Sequence, residues 1–362
     1  MQKKKLAVVL ANLGGPLVLA DVKPFLFNLF RDPSILGLPF FLRLPLAWII
    51  STARRKKAEA IYQLLGGGSP LLQNTKAQAK ALEKELITLL PNYEVKNFIA
   101  MRYWHPLTPE AIGQVKEFLP DEIIVLPLYP QFSTTTTASS WRIWKKLAQK
   151  QGIKANSRLI CCYPRLEGFI AAQVELVKSA IEEAKTHGKP MVLFSAHGLP
   201  EKIVEKGDPY PLQCQKTVNM LQEHLQLLGY NAGLDYDGLL CYQSRVGPLP
   251  WIPPYTESEI EKAAISKRPI LVVPISFVSE HSETLVEIGM EYKHMAEEKG
   301  CPHFISVPTV ATHPLFIKGL AEIVKNALHL PPAAIESNEN KRLCPVSCKG
   351  CLNILKDQPC GT

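Results

Sequence analysis

The regular alternation of short, β-branched apolar runs with longer helical patterns constrains the fold of this chain more than any other feature. Eight runs are typical of strands: residues 6–11, 95–100, 123–128, 159–163, 191–196, 238–242, 270–276 and 303–307. Helical patterns lie between them, for example at residues 74–90, 109–118, 166–186 and 211–228. Because a strand, a helix and a further strand in this order form a parallel βαβ unit, the sequence predicts an α/β fold with parallel sheets.

Chain length and strand number together predict two domains. A chain of 362 residues is long for a single core, and the strands divide into two groups of four, with the join near residue 158. Residues 331–342 are typical of a linker and precede a cysteine-rich tail.

Charge and hydropathy narrow the setting in which the protein works. The formal net charge of +8 is modest, and basic residues cluster only at 3–5 and 54–57, which disfavours a nucleic-acid groove and suits an anionic membrane surface. The first apolar run ends in a Gly-Gly-Pro turn and does not resemble an export signal. Residues 35–50 are apolar but interrupted by glycine, proline and arginine, so they could dip into a bilayer without spanning it. The expected location is the cytoplasm, with peripheral contact to the inner membrane.

Polar, titratable and aromatic side chains follow several of the predicted strands. They include Asn12, Arg102, Tyr103, Tyr129, His197, Arg245 and Glu280. Because parallel α/β sheets bind ligands beyond the carboxyl ends of their strands, we expect a binding site at this edge.

His197 directly follows the apolar run 191–196 and precedes Gly198. A neutral imidazole at a strand end can accept a proton near neutral pH or bind a divalent metal. The alternative is a histidine that only hydrogen-bonds the loop backbone, and its position does not separate the two.

An acidic row begins where the run 270–276 ends. The side chains that would share one face of an α-helix are Glu280, Glu283, Glu287, Glu291 and His294. Such a row is usually a solvated face. Here no lysine or arginine interleaves it and it starts where ligands bind, which favours a path for a cation or for protons, with His281 or His294 assisting.

Aromatic and cationic side chains at the same edge suit a large, flat, anionic ligand. Tyr129, Trp251 and Phe277 could form an aromatic wall, and Arg102 and Arg245 could bind carboxylates bidentately. Core packing is the alternative for the aromatic residues, and a surface ion pair is the alternative for the arginines. The residue types indicate an enzyme cleft with metal or proton chemistry and do not name the reaction.

Six segments, in this order, resemble the ferrochelatase family closely and over nearly the whole chain. They are residues 10–16 (LANLGGP), 101–106 (MRYWHP), 128–133 (LYPQFS), 194–200 (FSAHGLP), 243–251 (QSRVGPLPW) and 274–285 (PISFVSEHSETL). That family inserts ferrous iron into a porphyrin and releases two protons, as the last step of heme biosynthesis. The resemblance implies that this chain is such a lyase, with Fe²⁺ and a porphyrin as its substrates.

The resemblance also implies an architecture. Two Rossmann-like domains, each with a four-stranded parallel sheet flanked by helices, would hold the porphyrin in the cleft between them. The first would comprise residues 1–158 with about 315–330, and the second residues 159–314, while 331–362 would be the linker and tail. Residues 12–42, here called the lip, would form a hydrophobic rim on the first domain.

Roles for individual side chains follow from the same resemblance. His197 and Glu283 match the catalytic pair and would also meet the iron, and Glu280, His281 and Glu287 match a path for metal or protons. The porphyrin-binding residues would be Leu13, Arg102, Tyr103 and Trp251, to which the aromatic pattern adds Tyr129 and Phe277.

Two questions about the reaction stay open from the sequence. Binding would favour a puckered macrocycle that exposes its nitrogen lone pairs, and His197 or Glu283 would accept the protons, but the direction of metal entry and proton exit is not determined. Leu13 is similar to members that use protoporphyrin IX rather than to those with tyrosine there, which favours protoporphyrin IX, with coproporphyrin III as the alternative. The oligomeric state is open as well.

Four cysteines crowd the tail: Cys344, Cys348, Cys351 and Cys360. Some family members carry a [2Fe–2S] cluster held partly by C-terminal cysteines, and four thiolates suit such a cluster. In the animal-type pattern one ligand comes from the loop after the third strand, where this chain has Thr134, so the tail would ligate a cluster alone or with another body cysteine. Structural zinc and a tail of reduced thiols are the alternatives.

Three other functions fit parts of the pattern. A chelatase for another tetrapyrrole would share the fold, but such relatives are typically shorter or lack the run SEHSET at 279–284. A periplasmic-type metal-binding protein would need an export signal. A heme-binding module would show an axial ligand and no turnover of metal-free porphyrin.

Overall fold

All eight predicted runs form strands in the computed structural model, which describes residues 3–247 and 249–353. The first sheet contains β1 (Lys4–Asn12), β2 (Tyr93–Met101), β3 (Glu122–Pro127), β4 (Ser157–Cys162) and β9 (Ile335–Ser337), in the order β2-β1-β3-β4-β9. The second contains β5 (Met191–His197), β6 (Asp237–Gln243), β7 (Ile270–Pro274) and β8 (Phe304–Ser306), in the order β6-β5-β7-β8. All strand pairs within the two sheets are parallel. The predicted α/β class is confirmed, but the first sheet has five strands rather than four.

Helices connect the strands and cover both sheets. In chain order they are α1 (Val22–Phe30), α2 (Phe40–Leu64), α3 (Leu71–Leu89), α4 (Thr108–Phe118), α5 (Thr137–Lys150), α6 (Glu167–Lys185), α7 (Glu201–Glu205), α8 (Tyr210–Leu227), α9 (Thr256–Ile265), α10 (Lys293–Glu298) and α11 (Pro314–Ala327). A 3₁₀ turn (Leu19–Asp21) precedes α1, and a π-helix (Glu283–Tyr292) runs directly into α10.

Strand β1 illustrates why the apolar runs become central strands. Its alternate residues Leu6, Val8 and Leu10 contribute to one apolar core, and Ala7 and Val9 contribute to another on the opposite face. Because successive side chains of a strand point to opposite faces, a continuous apolar run is buried only when helices cover both sides of the sheet.

The two sheets share one topology. Strand β1 is central in its sheet and pairs with β2 on one side and β3 on the other, and β5 pairs in the same way with β6 and β7. The fourth strand of each set, β4 or β8, adds outside the third. The carboxyl ends of β1 and β5 therefore occupy equivalent positions in the two sheets.

Two sequence-based boundaries change in the structure. The join predicted at residue 158 falls within β4, whose backbone pairs with β3, so the first sheet extends to Cys162. The predicted linker at 331–342 contains β9, because Ile335 packs on the first sheet's core and its backbone pairs with Leu159. Helix α11 packs against both α3 and α6.

The lip exposes a large apolar surface that continues into α2. Phe40 is 65% exposed and Phe41 71% exposed, and Leu42, Trp48 and Ile49 are also exposed. Beneath them a separate small core contains Phe25, Phe30 and Tyr103, among others. Within the residues that the structure describes, no helix is long and apolar enough to cross a membrane.

Candidate active site

His197 is the last residue of β5 and faces a glutamate across a short gap. Its Nδ1 lies 2.7 Å from the carbonyl oxygen of Gly198, which can only accept a hydrogen bond, so Nδ1 carries the proton. In the neutral ring Nε2 is then the basic nitrogen, and it lies 3.8 Å from Oε1 of Glu283. The His197 side chain is 37% exposed, so the imidazole is accessible from solvent.

Glu283 begins the π-helix and lies between two imidazoles. Its Oε2 is 3.6 Å from Nε2 of His281, whose Nδ1, like Glu283 Oε2, is buried and has no hydrogen-bond partner within the described residues. Burial raises the pKa of Glu283, but its interactions with His197 and His281 in their protonated forms outweigh burial and lower the pKa well below its usual range. Buried polar atoms without partners are rare, which makes these two atoms candidates for contact with a bound group.

The helix that carries the acidic row is a π-helix, and this divides the predicted row. Its hydrogen bonds join residues five apart rather than four, so its side chains are not arranged as on an α-helix. Glu280 lies before it and accepts a hydrogen bond of 2.7 Å from the backbone of Thr309. At the other end Glu291 is exposed, and so is His294, which pairs with Glu298 at 3.2 Å. Within the row, Glu283 and Glu287 are the two members that interact electrostatically.

Glu287 is held by hydroxyl groups. Ser244 donates a hydrogen bond of 2.5 Å to Oε2, and Tyr292 donates one of 2.9 Å to Oε1. Burial and the neighbouring Glu283 raise the pKa of Glu287. The two carboxyl groups are therefore shifted in opposite directions, a pattern that suits groups with different proton-transfer roles.

Trp251 and Phe277 flank the two imidazoles. The ring of Trp251 lies 6.2 Å from that of His197, and the ring of Phe277 lies 4.5 Å from that of His281. A Cβ atom on Gly198 would lie 3.0 Å from both the Trp251 ring and the carbonyl of Gln243. Glycine at this position thus allows Trp251 to pack close to the catalytic candidate.

Arg102 and Tyr103 are turned toward a buried carboxylate. Nη2 of Arg102 lies 2.5 Å from Oδ2 of Asp32, and the hydroxyl of Tyr103 donates to the same oxygen at 2.8 Å. Tyr103 is only 1% exposed. In this structure Arg102 is thus paired with a carboxylate of the protein itself, and Asp32 balances its charge.

The remaining predicted pocket residues are partly exposed. Leu13 packs against the small core beneath the lip, and Tyr129, whose pKa is raised by burial, follows β3. Arg245 is exposed, and its guanidinium stacks on the ring of Tyr255 at 3.9 Å. Arg245 is thus a better candidate than Arg102 for contact with an anionic ligand.

Two residues near the site were missed by sequence reasoning. Asp32 is a single acidic residue in an apolar segment, and that contrast is the signal that could have identified it. Tyr62 on α2 lies beside Ser282 and Glu283, and burial raises the pKa of its hydroxyl to about 12. No local pattern distinguishes Tyr62 from a core tyrosine.

The tail cysteines pack against the body of the protein. Cys344 and Cys351 are buried, and hydrogen bonding from Cys344 lowers the pKa of Cys351. Gln213 donates a hydrogen bond of 3.1 Å to the sulfur of Cys344. A Cβ on Gly350 would lie 2.8 Å from the methyl group of Thr134, so the tail contacts the loop after β3.

Metal-ligand geometry is not complete in the part of the tail that is described. In residues 3–247 and 249–353, no group of three or more histidine, cysteine or acidic side chains is arranged to hold a metal ion. Cys360 lies outside the described residues.

The sequence comparisons agree on one family. Residues 5–328 match the family model described as Ferrochelatase. The chain is 48% identical over 334 residues to a ferrochelatase of Caulobacter vibrioides, covering 92% of this chain and 93% of the relative. It is 47% identical over 360 residues to a ferrochelatase of Hyphomonas neptunium, covering 99% and 97%. A solved structure, SirB from Bacillus subtilis with Fe³⁺, is 11% identical over 90% of this chain and 96% of that chain, with a TM-score of 0.48.

Proposed function

The chain belongs to the ferrochelatase family, and we propose that it inserts Fe²⁺ into protoporphyrin IX with His197 and Glu283 as the catalytic pair. The observation that carries this proposal is the 3.8 Å approach of Nε2 of His197 to the carboxylate of Glu283 at the carboxyl end of β5. Ligands of parallel α/β folds bind beyond such strand ends. We place the porphyrin between the two sheets, with α11 counted with the first.

Insertion replaces two pyrrole protons by one divalent cation, so the site must accept protons as the metal enters. Nε2 of His197 is the unprotonated ring nitrogen and is the natural first acceptor. Glu283, ionised because its pKa is lowered, stabilises the imidazolium that forms. Glu287, whose pKa is raised, then holds the proton and passes it outward, while Glu280 and His281 fix the start of the path.

The pocket walls have separate tasks in this proposal. Trp251, Phe277 and Tyr129 offer aromatic surface to the macrocycle, and Arg245 offers its guanidinium to a propionate. Arg102 and Tyr103 shape the wall from behind.

Protoporphyrin IX is favoured over coproporphyrin III because of Leu13. Its apolar side chain lies against the core beneath the lip, where it suits vinyl groups better than the additional carboxylates of coproporphyrin. The test is an anaerobic absorption assay that offers each porphyrin with Fe²⁺ and follows the collapse of the free-base bands. Faster turnover of coproporphyrin III would reverse the substrate assignment, and no turnover of either would refute the function.

We further place the protein in the cytoplasm, in peripheral contact with a membrane through the lip. The exposed Phe40, Phe41 and Trp48 supply apolar surface, and the basic residues 54–57 later in α2 supply attraction to anionic headgroups. This arrangement would let an apolar porphyrin pass between lipid and pocket.

For the tail we propose a [2Fe–2S] cluster with Cys344, Cys348, Cys351 and Cys360 as ligands. The chemistry of the donor set fits, because four thiols lie close in sequence and two of them are buried in mutual contact. A bound cluster would supply a one-electron redox centre. Visible absorption of freshly purified protein should be present and should be lost in Cys344→Ser and Cys360→Ser. If the purified protein contains zinc instead of iron and sulfide, the tail is a structural zinc site and the cluster proposal is wrong. If it contains neither, the tail cysteines are reduced thiols.

A further inference from the structure

Asp32 is a buried carboxylate that accepts four hydrogen bonds behind the wall of the proposed pocket. Its Oδ2 accepts hydrogen bonds from Arg102 at 2.5 Å, from the Tyr103 hydroxyl at 2.8 Å and from the Ser139 hydroxyl at 2.9 Å. Its Oδ1 accepts one from the backbone N–H of Ser34 at 2.8 Å. Asp32 is only 3% exposed, so these donors take the place of water.

The charges of this cluster cancel within it. Burial alone would raise the pKa of Asp32, but Arg102 and the surrounding donors lower it, so the carboxylate stays ionised beside the guanidinium. Nε of Arg102 is also bonded, to Ser139 at 3.0 Å, and within the described residues only Nη1 lacks a protein partner. The guanidinium is therefore fixed in orientation, and its positive charge is balanced.

Asp32 and Ser34 belong to the lip, whereas the side chains that donate to Asp32 come from outside it. Asp32 lies between α1 and α2, Arg102 and Tyr103 directly follow β2, and Ser139 lies in the first turns of α5. A second contact joins the same two regions, because the Asn28 side chain donates to the Tyr103 carbonyl at 3.1 Å. The position of the lip and the position of the arginine are thus set by shared hydrogen bonds.

We infer that Asp32 is a positioning residue for metal insertion, which holds Arg102 and Tyr103 in the pocket wall, keeps that wall electrically neutral toward Fe²⁺ and links it to the lip. The inference rests on the proposed function, since it takes Arg102 and Tyr103 as part of the porphyrin pocket. Its physical basis is independent of His197 and Glu283, because a freed guanidinium would both move and repel a dication.

The test is Asp32→Asn, with Glu122→Gln as a matched control. Glu122 pairs with Arg158 at 2.5 Å in the first sheet, so the control also removes the acid from a largely buried arginine pair. Asp32→Asn is expected to lower the insertion rate at saturating porphyrin about tenfold or more and to raise the KM for Fe²⁺. Glu122→Gln is expected to lose stability with both kinetic constants unchanged. Equal kinetics in the two variants would overturn the inference.

Two further measurements keep the inference testable. If Asp32→Asn does not fold, Ser139→Ala removes one hydroxyl that touches both Asp32 and Arg102. It is expected to lower the insertion rate and raise the KM for Fe²⁺, each by about two- to fivefold. Wild-type kinetics in Ser139→Ala would then overturn it. If the wild-type protein inserts no iron, the proposed function fails by itself. In that case the Soret band of bound protoporphyrin tests the inference. Asp32→Asn should shift this band, and an unshifted band would refute the inference.

Discussion

The two halves of the molecule use the same sheet topology and present opposite chemistry. After β1 the chain enters the apolar lip, whereas β5 ends at His197 and is followed by Gly198. After β3 it forms α5, an ordinary helix that bonds Asp32 through Ser139, whereas after β7 it forms the π-helix that begins with Glu283. Equivalent strand ends thus carry an apolar surface in one half and acid–base groups in the other, and the frame itself does not determine the reaction.

The largest expected effect concerns the second half. If His197 accepts the pyrrole protons and Glu283 stabilises the imidazolium, as we propose, His197→Ala and Glu283→Gln should each lower the rate of iron insertion about 100- to 10,000-fold. Porphyrin binding, measured by fluorescence quenching, should persist. The control is Glu291→Gln, at the exposed end of the same π-helix, which should keep the wild-type rate. Normal insertion in both catalytic variants would mean that the acid–base work lies elsewhere.

An intermediate effect is expected in the first half. The double variant Phe40→Ser, Phe41→Ser should lower affinity for vesicles that contain anionic lipid about tenfold or more, since two exposed phenyl rings no longer enter the interface. Turnover of detergent-solubilised porphyrin should not change. Leu119→Ser with Leu227→Ser removes exposed apolar side chains elsewhere and serves as the control. If both double variants bind vesicles equally well, the lip is not the surface that contacts the membrane.

The smallest effect distinguishes the two carboxylates within the second half. The pKa of Glu287 is raised, so its stabilising contribution is present at low pH and is lost as pH rises through the folded-state pKa. The pKa of Glu283 is lowered, so its contribution is present above the ordinary carboxyl pKa and is lost on acidification. Above pH 4.5, the free energy of unfolding of Glu287→Gln in urea should therefore increase relative to wild type as pH rises. Between the folded-state pKa of about 2 and the ordinary carboxyl pKa of 4.5, that of Glu283→Gln should instead decrease relative to wild type as pH rises. If the stability difference from wild type changed with pH in the same direction for both variants, the opposite pKa shifts of the two carboxyl groups would be contradicted.

The parts of the fold that could be predicted are those set by local pattern. Strand positions followed from apolar runs, and the place of His197 followed from its position at the end of one of them. The short strand β9 could not be predicted, because three residues in a proline-rich segment become a strand only when the edge of β4 is beside them.

The site was predictable in its residue types and less so in their arrangement. Spacings of three and four predict an α-helix for Glu280 to His294, and the π-helix that separates them depends on packing that spacing does not encode. The sequence predicts a ligand contact for Arg102 and gives no sign of its pairing with Asp32, seventy residues away in sequence. Such long-range pairs of opposite charge leave no mark in a single sequence.

Strand β9 covers the edge of β4 and so affects whether the protein can associate with itself. Without residues 335–337, β4 would be left as an open border with unsatisfied amide and carbonyl groups, beside Cys161 and Cys162. Exposed edge strands tend to pair with strands of other chains. By covering this edge, β9 is expected to reduce self-association. A chain that ends before residue 335 would therefore favour oligomers or precipitation, whatever the tail cysteines bind.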